Sequence, residues 1–137
     1  MGKNSQAEQL LTLPDRTTTA GKRDRVLLCL LVGCGLRREE LAALDIASIQ
    51  QRDGRWAIVD LSGKGKRIRT VQMPPWAKAA VDDWIAAAAI TAGRLLRPVN
   101  KGGRIGGRGI TAQAIFEIVV GYGGPRENNE CFRTGQT

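Results

Sequence analysis

Two arginines and two glutamates directly after a pair of glycines form the group in this chain best suited to binding an anion. Residues 33–44 read GCGLRREELAAL. Glycine adopts positive φ at little steric cost, so we predict that Gly33 caps one helix and that Gly35 turns the chain sharply. The next helix is predicted to begin at Arg37, where free backbone N–H groups and a guanidinium could together hold a phosphate oxygen. The alternative is an ordinary helix corner whose arginines are solvated or paired with the two glutamates.

A glycine-rich turn further along the chain carries a second concentration of positive charge. Residues 63–69 read GKGKRIR, with Lys64 and Lys66 in the turn and Arg67 and Arg69 in the segment that follows. The segment holds four bases and no acid. Its glycines would let the backbone approach a partner closely. The residues alone leave two interpretations open, a phosphate-binding edge or a solvated hairpin tip.

The composition points in the same direction as these two segments. The chain has 137 residues, enough for one domain with a core, and its 21 Lys+Arg against 13 Asp+Glu give a net charge of +8. Nucleic acid is the commonest anionic partner of a basic domain of this kind. A phosphate-rich macromolecule is therefore the partner class that the charge favours.

Histidine and cysteine usage limits the chemistry that this chain can perform. The chain has no histidine, and its three cysteines show no CxxC spacing. The common zinc ligand sets and a histidine general base are thereby excluded, and we expect no metal and no cofactor. Cys29 lies in an apolar run and is predicted to be a reduced core residue. That run, residues 26–32, is too short to span a membrane, so we expect a cytoplasmic protein without a membrane partner.

Hydrophobic periodicity and turn signals predict the elements that position these residues. The resulting fold class is mainly α with a small antiparallel β-hairpin or sheet (α+β). The predicted elements are helices over residues 6–13, 22–32, 37–44 and 75–91, a hairpin over 55–73, a loop over 94–109, and a last helix that Thr111 caps and that runs to residue 120. We expect one domain over residues 5–123, with poorly packed tails at 1–4 and 124–137.

Three segments, in this order, resemble the catalytic domain of tyrosine recombinases, the phage integrase family. The first is Arg23-Asp24 opening an apolar helix that leads into GLRREEL, residues 35–41. The second is GKGK followed by RTVQMP, residues 69–74. The third is ITAQAIF, residues 110–116, opening a later helix. Each motif is weak alone, but three in the same order form a specific signal, which implies the N-terminal part of the recombinase catalytic fold.

The resemblance also implies a role for each of the basic segments. It implies that Arg37 binds the scissile DNA phosphate, that Glu40 orients Arg37, and that Lys64 acts as general acid towards the departing 5′ oxygen. A planar guanidinium that stays charged suits stabilisation of a phosphoryl transition state. Four further basic residues would contact DNA and fix its position rather than read its sequence: Lys66, Arg67, Arg69 and Arg38.

The chain departs from the family pattern after residue 123. The family continues with a His-x-x-Arg motif and a late nucleophilic tyrosine, whereas this chain has no histidine. Arg133 has the x-x-Arg spacing and is either a relic of the second phosphate-binding arginine or a chance arginine in a tail. Tyr122, the one tyrosine, precedes that position and is predicted to end a helix rather than to attack a phosphate. We therefore identify no nucleophile.

Two main functions remain open on this basis. The first is the DNA-binding part of a site-specific recombinase or integrase, of bacterial or phage origin, nucleoid-associated and inactive alone. The second is a stand-alone basic DNA-binding module that lacks catalysis and modulates a full-length recombinase. An RNA-binding or ribosome-associated basic protein is a third. The expected partner is double-stranded DNA, with self-association or a full-length recombinase as protein partners and no small-molecule substrate.

Overall fold

A computed structural model describes residues 9–62 and 68–124. These residues form four helices and a three-stranded sheet, which confirms the predicted α+β class. In chain order the elements are α1 (Thr19–Gly33), α2 (Arg38–Ala42), a 3-10 turn (Ile46–Ser48), β1 (Ile49–Arg52), β2 (Arg55–Ser62), β3 (Ile68–Gln72), α3 (Pro75–Ala88) and α4 (Ala112–Gly121). The predicted tails at 1–4 and beyond 124 lie outside the described residues.

Helix α1 is the central helix of the described fold, since its apolar run is buried on all sides. Its residues 26–31 are all buried, and α1 packs against α3 on one side. The helix begins three residues earlier than predicted, because the Thr18 hydroxyl caps it by accepting a hydrogen bond from the Gly21 N–H at 3.0 Å. The first turn needs a glycine at position 21, because the Cβ of any other residue would clash with the carbonyl oxygen of Asp15.

The predicted hairpin is present, and a third strand extends it. Strands β2 and β3 pair antiparallel, and β1 pairs antiparallel with β2 on its other edge. The β1–β2 turn has positive φ at both Asp53 and Gly54, the geometry of a two-residue turn that suits the twist of the strands. The sequence did not predict β1, because three of its four residues are exposed and leave no alternating apolar pattern.

Helix α3 supplies the residue that fills the centre of the core. It begins at Pro75 as predicted but ends at Ala88 rather than at residue 91, since Ala89 adopts a left-handed conformation with φ 53°. Trp84 on this helix is fully buried, and its indole N–H donates to the Leu95 carbonyl at 2.8 Å. Trp84 is therefore a core residue.

Helix α4 and the loop before it complete the described fold. Thr111 caps α4 as predicted, with its hydroxyl accepting from the Ala114 N–H at 3.0 Å. The loop over residues 94–109 is irregular apart from two isolated bridges, one between Val99 and Ile105 and one between Arg94 and Asp45. Arg94 fixes its start, because its guanidinium donates to the Ala43 carbonyl at 2.6 Å just after α2.

None of the helices in residues 9–62 and 68–124 is both long and apolar enough to cross a membrane.

Cys29 is a buried core residue, as predicted, and Cys34 is buried beside it. Burial raises the pKa of both thiols, that of Cys34 to about 12. Both thiols are therefore protonated and unreactive at neutral pH.

Candidate nucleic-acid interface

The corner between α1 and α2 differs in two details from its predicted geometry. Gly35 has φ +69° and makes the predicted turn, but Gly33 is the last residue of α1 and not its cap. Gly33 leaves room for Trp76, because a Cβ at position 33 would lie 2.6 Å from its indole and would displace the ring. Arg37 is the N-cap residue of α2 rather than its first helical residue, and its side chain is exposed.

The predicted phosphate site at the N-terminus of α2 offers fewer free backbone N–H donors than the sequence indicated. Helix α2 has five residues, so few peptide dipoles are aligned, and the Arg37 N–H donates to the Glu40 carboxylate at 2.9 Å. Anion binding at this corner would therefore depend on the exposed guanidinium of Arg37 and not on the helix terminus.

Glu40 is the buried charged residue around which this region is arranged. Its side chain is 4% exposed, and its Oε1 accepts both from the Arg37 N–H and from the Arg69 Nη2, the latter at 2.7 Å. Its Oε2 is buried and accepts no hydrogen bond from any residue that the structure describes. The carboxylate thus joins the start of α2 to strand β3, and one of its oxygens is still able to accept a donor.

The other predicted DNA-binding residues are distributed around this carboxylate or lie outside the described residues. Arg69, predicted to contact DNA, forms the ion pair with Glu40 and keeps 41% of its side chain exposed. Arg38 is half-buried, and its guanidinium lies 4.9 Å from the centre of the Phe116 ring on α4. Lys64, Lys66, Arg67 and Arg133 fall in residues that the structure does not describe, and their roles stay predictions.

A buried polar network that the sequence did not predict connects α1 with the end of α4. The Arg23 guanidinium pairs with Asp24 Oδ1 at 2.8 Å, and the Tyr122 hydroxyl donates to Asp24 Oδ2 at 2.7 Å. Both charged side chains are 10% exposed. The signal in the sequence was an adjacent pair of opposite charges in an otherwise apolar helix, but its tyrosine partner is 98 residues away. Tyr122 is placed at the end of α4, as predicted.

Tyr122 is expected to ionise only well above its ordinary pKa. Burial and the hydrogen bond to the Asp24 carboxylate both raise the pKa of the phenol, because each disfavours the phenolate. The stability that this interaction contributes is complete below about pH 10, the pKa of an unfolded tyrosine, and falls as the pH rises further. The measurement is a titration of phenolate absorbance, which reports this residue alone because the chain has one tyrosine.

Tyr122→Phe is the control for that titration and should show no phenolate signal. A transition in the folded wild-type protein at the ordinary tyrosine pKa would contradict the Asp24 contact. In that case, the phenol would be as free to ionise as one in water.

A cleft of about 730 Å³ lies away from this interface, between the β1–β2 turn and the start of α3. Its lining includes neither Arg37 nor Glu40. The Lys78 ammonium lies 3.9 Å from the Trp56 ring centre there, so the partly buried Trp56 ring packs under a lysine side chain.

Among the described residues there is also no group of acids, cysteines or histidines that could hold a metal ion.

The described geometry defines a basic α+β domain in which one buried carboxylate joins an exposed arginine to a β-hairpin. The model of the phage integrase family matches residues 3–108, most of the chain. The chain therefore belongs to the phage integrase family, the family of the tyrosine recombinases.

Individual relatives agree with this assignment. The chain is 39% identical over 92 residues to the tyrosine recombinase XerC of Myxococcus xanthus, which covers 67% of this chain and 28% of that protein. It is 33% identical over 108 residues to XerC of Chromohalobacter salexigens, covering 77% of this chain and 35% of that protein. The chain thus spans about a third or less of the length of these relatives.

Solved structures show the same fold. The post-cleavage complex of the XerH site-specific recombinase with a palindromic difH substrate superposes with a TM-score of 0.61 at 22% identity, over 88% of this chain and 34% of that chain. The pre-cleavage complex gives a TM-score of 0.59. The predicted fold, the N-terminal part of the recombinase catalytic domain, is confirmed.

Proposed function

We propose that this chain binds duplex DNA as the phosphate-binding front part of a site-specific recombinase catalytic domain, over residues 5–123, and does not cleave DNA alone. The observation that carries the proposal is the contact of one Glu40 oxygen with both the Arg37 backbone and the Arg69 guanidinium. That contact connects the two basic segments to which the family resemblance assigns phosphate binding. XerH, which shares the fold, is a DNA-bound recombinase in both solved complexes.

In this proposal Arg37 binds the scissile phosphate through its exposed guanidinium. A guanidinium presents several N–H donors in one plane and keeps its charge, so it can neutralise the charge that develops on phosphate oxygens. Glu40 positions Arg37 through the backbone N–H, and its Oε2 can accept a further donor. Lys64 would act as general acid, and Lys66, Arg67 and Arg38 would contact neighbouring phosphates.

The charge distribution of the C-terminal half supports an extended anionic partner. No acidic residue occurs between Asp83 and Glu117 in the sequence, whereas five basic residues do. Four of the five are exposed on the loop between α3 and α4, Arg94, Lys101, Arg104 and Arg108, and of these Arg94 pairs with Asp45. Such an uncompensated stretch of exposed positive charge favours a polyanion over a small ligand.

The proposal that the chain does not cleave DNA alone is supported by the environment of Tyr122. Its hydroxyl is hydrogen-bonded to Asp24 and its pKa is raised, so the phenol is held in the form that is a poor nucleophile. The same observation favours the second candidate function, a DNA-binding module without catalysis that modulates a full-length recombinase. Both candidate functions include DNA binding. In the first, DNA cleavage needs a nucleophile from the rest of a recombinase; in the second, a separate full-length recombinase performs the cleavage.

Arg37→Ala is expected to weaken duplex DNA binding by about tenfold or more, since it removes a charge-assisted hydrogen bond to phosphate. It should also reduce the slope of log affinity against log salt concentration by about one. Fluorescence anisotropy of a labelled duplex over a range of salt concentrations measures both quantities.

Arg16→Ala is the matched control, because Arg16 is also exposed but lies before α1, whereas Arg37 follows this helix, which is about 22 Å long. The control should leave affinity nearly unchanged. Equal losses in the two variants would show that binding depends on overall charge and would contradict a specific role for Arg37.

A further inference from the structure

A β-bulge divides the β2–β3 hairpin into an inner and an outer half. Ile58 pairs with Val71 in the inner half, and Leu61 pairs with Arg69 in the outer half. Two residues of β2 therefore face one residue of β3, and Asp60 in the bulge has φ 58°, a conformation that non-glycine residues rarely adopt. Bulges of this kind bend a strand and redirect the side chains beyond them.

The extra residue decides which side chains of the outer half face the core. Side chains alternate along a regular strand, so without the bulge Asp60 would share the face of Ile58. With the bulge, Leu61 takes that face and is 5% exposed, whereas Asp60 is exposed. Directly paired residues share a face of a sheet, so Arg69 opposite Leu61 is turned to the same side.

Arg69 uses this orientation to reach α2. Its Nη2 lies 2.7 Å from Glu40 Oε1, and the same oxygen accepts from the Arg37 N–H. The pairing is through one guanidinium nitrogen to a carboxylate that is 4% exposed. With its charge balanced at such short range by Glu40, Arg69 attracts a phosphate less than an unpaired arginine would.

We propose that Arg69 is a positioning residue that acts through Glu40: the bulge and the ion pair together hold the outer half of the hairpin, which leads into residues 63–67, in register with Arg37. This inference rests on the proposed DNA-binding function, and it replaces the predicted direct contact of Arg69 with DNA. It identifies Glu40 as the shared support of both phosphate-binding segments rather than of Arg37 alone.

A double-mutant cycle on duplex DNA affinity tests this proposal. Arg69→Gln and Glu40→Gln remove the ion pair from either side, and Glu40→Gln retains an acceptor for the Arg37 N–H. Each single variant is expected to bind duplex DNA roughly threefold to tenfold more weakly than the wild type. The double variant should bind about as well as the weaker-binding of the two single variants, because both substitutions remove the same ion pair. Losses that multiply in the double variant would mean that Arg69 contacts DNA independently, and an unchanged affinity in either single variant would also overturn the proposal.

Arg69→Lys and Arg16→Gln are the controls for this cycle. Since Arg69 uses one nitrogen, the ammonium of Arg69→Lys can replace it and should restore most of the affinity. Arg16→Gln removes an equal charge elsewhere and should have little effect. A loss in Arg69→Lys as large as in Arg69→Gln would contradict the ion-pair role. If Arg69→Gln does not fold, Arg69→Lys is compared with the wild-type protein, and a loss of about tenfold would contradict the ion-pair role.

Hydrogen exchange of the free protein separates this inference from the proposed function. Amides of β3 should exchange several-fold faster in both Arg69→Gln and Glu40→Gln, whereas amides of α3 should not change, because the ion pair fixes the hairpin and not the core. If wild-type protein binds no DNA but β3 shows this change, the proposed function fails and the positioning role stands. If DNA binds and β3 exchange is unchanged, the positioning role alone is wrong.

Discussion

Trp84→Ala is expected to lower the free energy of unfolding by about 3–5 kcal/mol, the range for removing a buried tryptophan from a core. The Trp84 side chain is fully buried, and its N–H bond to the Leu95 carbonyl would be lost together with its packing. A domain of this size is stable by about 5–15 kcal/mol, so a large fraction of molecules could unfold at physiological temperature. Urea denaturation followed by circular dichroism measures the change.

Trp76→Ala is the control for this loss. Trp76 lies at the start of the same helix but is 45% exposed, so its removal creates less buried cavity and should cost well under half as much. Equal losses at the two positions would contradict the placement of Trp84 at the centre of the core.

Asp24→Ala is expected to destabilise the protein by about 3–5 kcal/mol, the cost of leaving one partner of a buried ion pair without the other. The variant removes the carboxylate that Arg23 and Tyr122 share, so a largely buried guanidinium and a phenol both lose their acceptor. Among the described residues, Arg23 then keeps a longer contact of 3.2 Å with the Arg97 carbonyl. Urea denaturation provides this measurement as well.

Asp83→Ala provides a matched comparison on the surface. Asp83 also pairs with a residue of α1, Lys22, at 3.2 Å, but its side chain is 47% exposed. An exposed pair contributes about 0–1 kcal/mol, so the expected loss is several times smaller than for Asp24. If Asp24→Ala were no more destabilising than Asp83→Ala, the buried network would not support the fold.

Local patterns were sufficient to predict most of the elements of this fold. Apolar periodicity predicted α1, the turn signals predicted the hairpin that β2 and β3 form, and Thr111 predicted the start of α4. Each of these signals depends on residues close together in the chain. Strand β1 was missed because its residues are largely exposed and its pairing with β2 is the main reason that it is extended.

The contacts of the candidate site could not be predicted in the same way. Glu40 and Arg69 are 29 residues apart, and the short helix α2 and strand β3 that carry them meet only in the folded chain. The family resemblance assigned Glu40 to Arg37, and the structure adds that the contact is made through the Arg37 backbone. Its position in the sequence predicted that Tyr122 ends a helix rather than acts as a nucleophile, and the structure adds a hydrogen bond to Asp24 that the sequence could not predict.

The affinity of the wild-type protein for a duplex DNA, measured over a range of salt concentrations, tests the central claim most directly. A domain that binds through Arg37 and the basic hairpin should lose affinity linearly in a log–log plot as salt rises, with about 0.9 units of slope for each phosphate contacted. A slope corresponding to several phosphates is the expected result. Undetectable binding, or an affinity that does not change with salt, would contradict the proposal that this chain binds DNA.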